Sequence, residues 1–195
     1  MMISSLFNIR RIPAVLFVAA GLILFSSKAG AQQIGVKTNA LMWAALTPNA
    51  GCEVVVGERS SLELSMFGHY NPYGLESRLF AVQPEYRYWF SGRPMAREFV
   101  GVSAMIADYN MIISNHVYDG SAGSVGIIGG YAFSLNRSWR LELSGGLALL
   151  GFREKQYYRH DNYDDYFIEQ DSPVNSWGYK LFPAKLGVTF TYIIK

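Results

Sequence analysis

The chain has 195 residues, with 17 Lys and Arg against 15 Asp and Glu, so its formal net charge is +2. The first 31 residues carry Arg10, Arg11 and Lys28 and no acid, which leaves 14 basic and 15 acidic residues in the remainder and no basic patch for nucleic acid. The single cysteine, Cys52, excludes an internal disulfide.

Residues 1–31 have the features of a secretory signal peptide. Arg10 and Arg11 precede an apolar run over residues 12–25, and Ala29-Gly30-Ala31 provides small residues for cleavage. The run is shorter than the roughly 20 residues that a membrane-spanning helix needs. We therefore predict a cleaved leader over residues 1–31 and one domain over residues 32–195, with an uncleaved anchor as the alternative.

Eight segments with strand character follow, each bounded by turn residues, and no segment has the apolar spacing of a helix. The segments cover about residues 34–46, 50–57, 61–70, 80–90, 99–112, 124–134, 139–156 and 177–194. Most are near or above the 9–11 residues that a tilted strand needs to cross a bilayer, whereas strands of soluble domains centre near 5–6. The sequence therefore predicts an all-β fold, an eight-stranded antiparallel up-and-down transmembrane β-barrel.

The predicted connections alternate in length along the chain. The second, fourth and sixth are short, and the third, fifth and seventh are longer; only the first, at residues 47–49, breaks the alternation. The longer ones cover about residues 71–79, 113–123 and 157–176. Short turns at one end and long loops at the other are typical of outer-membrane barrels, whose short turns face the periplasm.

Within the segments, apolar and polar side chains alternate and so define two faces. In WRLELSGGLALLGF (139–152), Trp139, Leu141, Leu143, Leu147 and Leu149 share one face. The apolar face also carries aromatic residues near strand ends, which are typical of the belts at bilayer interfaces. These residues are Tyr70, Tyr88, Phe90, Tyr131, Phe133, Trp139, Phe190 and Tyr192. The prolines Pro84 and Pro183 fall within strands, where we expect bulges or kinks.

The polar face carries four basic and four acidic residues. They are Lys37, Arg87, Arg140 and Lys185 with Glu53, Glu63, Glu85 and Glu142. In a soluble barrel these side chains would face water. An eight-stranded membrane barrel has no room for a water channel, and each charge inside it needs a partner of opposite sign. The equal numbers favour the membrane barrel, with these eight residues as interior ion pairs.

Three segments carry a resemblance to known proteins: Lys37-Thr38-Asn39-Ala40-Leu41, QPEYRYWF (83–90) and PAKLGVTFTY (183–192). With them the chain resembles the small eight-stranded outer-membrane barrels of Gram-negative bacteria. It is most similar to an uncharacterised short-barrel family that is sometimes encoded near fimbrial components. The resemblance covers the whole mature chain. It implies a fold and a location in the outer membrane, and it brings no catalytic residues.

An enzymatic alternative depends on three polar residues of the third segment. Glu63, Ser65 and His69 share a face, as the residues of a lipid A deacylase or acyltransferase could. Four residues of strand separate Ser65 from His69 by roughly 13 Å, too far for the contacts of a triad. We therefore predict no catalytic residue, and a lipid-modifying enzyme and a soluble lipocalin-like binding barrel stay as alternatives.

The longest predicted loop, residues 157–176, is rich in tyrosine and acidic residues. Its candidates for contact with a surface protein or glycan are Tyr157, Tyr158, Tyr163, Asp164, Asp165 and Tyr166. The acids lack the spacing and turn glycine of a calcium loop, and His116 and His160 have no second ligand at zinc-like spacing, so no metal or cofactor is predicted. We expect an outer-membrane protein in contact with lipid, with a structural or cell-surface interaction role.

Overall fold

The computed structural model describes residues 33–159 and 175–194, and in this part of the chain eight antiparallel strands close into a barrel. The strands are β1 (Ile34–Asn39), β2 (Asn49–Val55), β3 (Ser60–Tyr70), β4 (Ser77–Trp89), β5 (Arg97–Ile113), β6 (His116–Ser134), β7 (Trp139–Tyr158) and β8 (Ser176–Ile194). Each strand pairs with its neighbours in the chain, and β1 pairs with β8 to close the barrel. The predicted all-β up-and-down barrel is confirmed. The predicted leader, residues 1–31, lies outside the described residues.

A short helix, α1 (Ala40–Ala44), replaces the second half of the first predicted strand, so the expectation of a strand to residue 46 is wrong. Asn39 ends β1, and its side-chain oxygen accepts a hydrogen bond from Leu41 N at 3.0 Å, which caps the helix. The helix residues ALMWA include the strong helix formers Ala, Leu and Met, which favours a helical turn after the cap. No helix in residues 33–159 and 175–194 is long and apolar enough to span a bilayer.

The connection between β5 and β6 is a tight hairpin turn. Ser114 and Asn115 have φ values of 49° and 68°, as in the two-residue turns that fit the twist of paired strands. The predicted long loop over residues 113–123 is therefore wrong, because the residues from His116 onward belong to β6. We call the end of the barrel with this turn the upper end. The lower end carries the β2–β3, β4–β5 and β6–β7 connections.

The two halves of the barrel differ in strand length. Strands β5 to β8 have 17 to 20 residues, whereas β1 to β4 have 6 to 13. The longer strands extend past the shorter ones at the upper end. We expected the two ends of the barrel to differ in loop length. The difference between the ends is instead partly one of strand length.

The two strand prolines are accommodated differently. Next to Pro183 the β7–β8 register shifts between Gly146 and Leu147, which leaves Ala184 as the extra residue of a bulge. Pro84 pairs with Leu64 of β3 without a shift, and the β4–β5 pairing has a gap at this level. The expected bulge is thus confirmed at Pro183 only.

Polar side chains face the interior of the barrel and apolar side chains face outward. Arg87 and Glu53 are fully buried inside, whereas the outward Val125, Ile127 and Leu186 are each at least 63% exposed. In a soluble barrel the arrangement would be the reverse. The interior therefore contains the charged groups whose contacts define the candidate site.

Candidate functional site

Seven charged side chains meet inside the barrel, and we call them the ion cluster. They are Lys37 of β1, Glu53 of β2, Glu63 of β3, Glu85 and Arg87 of β4, Glu142 of β7 and Lys185 of β8. Glu63 lies opposite Glu53 on one side and Glu85 on the other, which puts three carboxylates in one cross-strand row. Like charges in such a row repel, so the row needs cations in contact with it.

Arg87 is the cation that contacts all four carboxylates. Its Nη2 lies 2.6 Å from Glu63 Oε2 and 2.6 Å from Glu85 Oε2. Its Nη1 lies 2.9 Å from Glu142 Oε2 and 3.3 Å from Glu53 Oε2. A guanidinium has five N–H donors in a planar fork, which is why one side chain can serve so many acceptors.

The two lysines complete the ion pairs from the side of β1 and β8. Lys37 Nζ lies 2.7 Å from Glu63 Oε2 and also contacts Glu53. Lys185 Nζ lies 2.8 Å from Glu63 Oε1 and 2.7 Å from Glu85 Oε1. Because an unpaired buried charge costs several kcal/mol, these contacts make the interior compatible with a folded barrel.

Arg140, the eighth residue that we predicted as an interior ion pair, lies outside the ion cluster. Its Nη1 donates hydrogen bonds to the carbonyl oxygens of Asn136 and Trp139, and no ion pair joins it to another described residue. The prediction is wrong for a geometric reason. Arg140 has the inward parity but is the second residue of β7, where its long side chain reaches the β6–β7 turn.

Ser65 and His69, the two central residues of the enzymatic alternative, have different hydrogen-bond partners. Ser65 Oγ donates to Glu63 Oε1 at 2.7 Å. The two ring nitrogens of His69 lie 3.2 Å from Thr47 Oγ1 and 3.0 Å from Ser77 Oγ. Ser65 and His69 share no hydrogen bond, so the described residues form no nucleophile–base pair here.

A fifth buried carboxylate, that of Glu154, lies above the ion cluster, and the sequence did not reveal it. Glu154 accepts hydrogen bonds from Tyr109 Oη at 2.7 Å and from Gln156 Nε2 at 2.6 Å. Burial, followed by the bond to this carboxylate, raises the pKa of Tyr109 above its ordinary value. Both partners have inward parity in the upper parts of β5 and β7, which is the signal that could have identified them.

The loop candidates are only partly described. Tyr157 and Tyr158 end β7, and the half-exposed Tyr158 ring packs edge-on against His116 with 4.4 Å between ring centroids. The other predicted loop residues, Tyr163, Asp164, Asp165 and Tyr166, lie outside the described residues.

Comparison with known proteins identifies the family. Residues 15–194 match the family described as protein of unknown function, DUF3575. The chain belongs to this family. The comparisons with curated proteins and with solved structures gave no match. This member of the DUF3575 family is an eight-stranded antiparallel barrel whose centre contains ion pairs.

The floor of the DUF3575 barrel is apolar, which we did not expect. Trp89 and Phe99 are buried below the ion cluster with 4.8 Å between ring centroids, and Trp89 Nε1 donates to Ser61 Oγ at 2.8 Å. The Arg87 guanidinium lies 4.6 Å from the centroid of the Phe99 ring. Trp89 has the same parity as Glu85 and Arg87, so the alternation already placed it inside.

Small residues make room for the Arg87 side chain, which allows a test. A Cβ added at Gly101 would lie 2.7 Å from Tyr86 O and 3.3 Å from Arg87 Cγ. We expect Gly101→Ala to destabilise the DUF3575 barrel by about 1–3 kcal/mol, as overpacking does. The measurement is the urea midpoint of the protein folded in detergent.

The matched control is Gly129→Ala on the neighbouring strand. A Cβ at Gly129 faces outward and meets only Phe99 O at 3.8 Å. This substitution should leave the midpoint unchanged or raise it. Equal midpoints for the two variants would mean that the packing around Arg87 is loose.

Proposed function

We propose that this chain is an integral outer-membrane β-barrel with a structural or cell-surface interaction role and without catalytic activity. The observation that carries the proposal is the inverted distribution of side chains. Ion pairs fill the inside of a closed barrel, and a continuous apolar band covers its outside. Soluble monomers rarely expose apolar surface of this extent, and where a protein does, the surface usually contacts a membrane or a partner.

The apolar band has a defined upper edge. On β6 the outward side chains are apolar from Phe133 to Val125, and after Gly123 they become polar at Ser121 and Asp119. The outward side chains of the two neighbouring strands also become polar at this level. In register with Asp119 are Asn110 of β5 and Lys155 of β7, and in register with Ser121 are Asp108 and Arg153.

The height of the band matches a bilayer. From Phe133 to Gly123 the strand advances about ten residues, which is roughly 33 Å at 3.3 Å per residue. At a strand tilt of about 45° this corresponds to roughly 23 Å along the barrel axis, against about 25 Å for the apolar band of outer-membrane barrels. The match supports a membrane location.

Aromatic side chains mark the lower edge of the band. They form contacting pairs on the outer surface, with ring centroids 4.5 to 5.5 Å apart. The pairs are Tyr88–Phe90, Tyr131–Phe133 and Trp139–Tyr192. A belt of amphipathic rings at one level is typical of a membrane–water interface.

The surface role is supported by the upper ends of β5 to β7, which extend past the apolar band and carry polar residues outward, whereas β8 carries the exposed Trp177 at the level of Arg153. Barrels of this kind extend further outside the cell than into the periplasm, so the upper end, where these strands project, would face the cell exterior even though its β5–β6 connection is a tight turn. Tyr158 and His116 are described aromatic groups at this end, and they lie where a protein or glycan partner would be met.

Cell fractionation combined with gel mobility tests the membrane location. We expect the protein in the outer-membrane fraction, and a change in mobility when the detergent sample is boiled, because a closed barrel resists detergent unfolding. Recovery from the soluble periplasmic fraction without a mobility shift would contradict the proposal and favour a lipocalin-like barrel.

A further inference from the structure

The upper part of β8 has a strand partner on one side only. β7 pairs with all of this part, whereas β1 pairs only with Thr189–Ile194, because the chain forms α1 after Asn39. The side chains of Asn39 and Gln83 bond to backbone groups of β8 as far as Ala184. Above Ala184, the only described residues that bond to the backbone of β8 are those of β7. We call residues 177–183 the open edge.

The open edge has free backbone groups at regular spacing. In an antiparallel pair only alternate residues bond to the partner strand. On β7 the even-numbered residues face β8, since Ser138 O accepts a hydrogen bond from Ile193 N, and opposite them lie the even-numbered residues of the open edge. The N–H and C=O groups of Trp177, Tyr179 and Leu181 therefore point away from β7. A row of such groups is a template for a further strand.

The side chains of the open edge are accessible on both faces. Trp177, Tyr179 and Leu181 are 78%, 75% and 72% exposed on the outer face. The consecutive residues 179–183 are all exposed, whereas exposed and covered positions alternate over residues 185–194, where β1 is present or close. The missing neighbour therefore leaves room beside β8.

Lys180 gives the open edge a charge. Its Nζ lies 5.2 Å from the centroid of the Phe152 ring on β7, and no ion pair joins it to another described residue. Because the backbone of Lys180 bonds to β7, a residue opposite it on an added strand would be in a non-hydrogen-bonded pair, whose side chains lie closest. Opposite charges attract in such a pair, so an acidic residue fits there.

We propose that the open edge binds an extended peptide segment of a partner protein, which adds an antiparallel strand to β8. The segment has an acidic residue opposite Lys180 and apolar residues beside Trp177, Tyr179 and Leu181. In this mode of recognition, main-chain hydrogen bonds provide affinity and alternate side chains provide specificity. The proposal rests on the proposed surface role only for the location of the partner, outside the cell.

The geometry favours another protein over a second copy of this chain. Two copies in one membrane share their orientation, so their β8 strands, each tilted by 35–45°, would cross at roughly 70–90° instead of pairing. A peptide segment has no such constraint. Pro183 lacks an N–H and ends the edge, so the added strand has about six residues, or roughly 20 Å.

A peptide probe tests strand addition, with the full-length protein folded in detergent. The probe is a fluorescent six-residue peptide in which threonine alternates with valine and glutamate replaces the central threonine. Its valines then lie opposite Trp177, Tyr179 and Leu181, and its glutamate opposite Lys180. We expect saturable binding by fluorescence anisotropy and slower amide hydrogen exchange over residues 177–181 in the complex.

Two methylated peptides are matched controls for the backbone bonds. Methylation of the valine nitrogens removes the donors that face the open edge, and it should weaken binding by more than roughly tenfold because three hydrogen bonds are lost. Methylation of the threonine and glutamate nitrogens, which face away from the edge, should preserve binding.

Lys180→Glu tests the charge pairing. It should weaken binding of the glutamate peptide by roughly fivefold and strengthen binding of a peptide with lysine at that position. Arg137→Glu makes the same change in the exposed β6–β7 turn and should leave both affinities unchanged. Lys180 is exposed, so we expect the variant to fold, and gel mobility before and after boiling verifies this.

Four results would overturn the proposal. They are no binding of the probe by the wild-type protein, equal binding of the valine-methylated peptide, tighter binding by Lys180→Ala, and a dimer of the protein that the peptide dissociates. The third would mean that the lysine protects the edge from pairing, and the fourth that a second copy occupies it. Peptide binding in detergent does not depend on the membrane location, so the fractionation test can fail while this one succeeds.

Discussion

Replacing Arg87 by leucine is expected to destabilise the barrel by about 3–5 kcal/mol. The substitution leaves four buried carboxylates with two lysines, and it removes the only cation that contacts all four among the described residues. An uncompensated buried charge is costly because no water replaces the lost partner. The measurement is the free energy of unfolding in urea, with the protein folded in detergent or lipid vesicles.

Arg159→Leu is the matched control for this substitution. Arg159 pairs with Glu76 at 2.9 Å, but both side chains are nearly half exposed, so the loss should cost less than about 1 kcal/mol. Arg87→Lys should give an intermediate result, because it keeps the charge and loses the fork of donors. If Arg87→Leu were as stable as Arg159→Leu, the ion cluster would be solvated and the inverted barrel would be wrong.

The ion cluster also explains how the strand register is specified. Side chains alternate between the two faces of a strand, so a slip of one residue in β4 would turn Glu85 and Arg87 outward and Tyr86 inward. Between lipid tails this exchange would expose two charges to hydrocarbon. The cluster therefore favours one register strongly, whatever its net contribution to stability.

The alternation of side chains was enough to predict most of this arrangement. β3 and β7 were predicted to within two residues, and seven of the eight predicted interior charges meet in the ion cluster. The parity of a residue in a strand determines its face, and the face determines its surroundings. Parity depends only on the position of a residue along its own strand, so it can be read from a single sequence.

The features that were missed depend on geometry beyond parity. Arg140 was predicted on the correct face of β7. Its height in the barrel, which parity does not give, places its side chain against the β6–β7 turn, where it forms no ion pair with Glu142. The Asn39 cap of α1 and the Ser114-Asn115 turn depend on the backbone conformation of one or two residues, which the alternation of side chains does not predict. Gly120 and Gly123 resemble loop residues in the sequence, yet they belong to β6.

Ile127→Arg is expected to destabilise the protein in lipid vesicles by about 2–4 kcal/mol, the cost of arginine near the bilayer midplane. Ile127 is 65% exposed and lies about halfway between the aromatic belt at Phe133 and the polar positions from Ser121 upward. On a soluble barrel an exposed isoleucine could be replaced by arginine at almost no cost. The measurement is the urea midpoint for unfolding from vesicles.

Ile113→Arg makes the same chemical change at a different height. Ile113 is 57% exposed and ends β5 beside the upper turn, above the polar residues Asp108 and Asn110. We expect its cost to be within about 1 kcal/mol, as for positions at or beyond the membrane interface. A difference of about 1–4 kcal/mol between the two variants is roughly 5- to 700-fold in the folded-to-unfolded ratio. Both isoleucines are exposed, although Ile113 has the inward parity of β5, so a soluble barrel gives no reason for such a difference. Equal midpoints would contradict the membrane location.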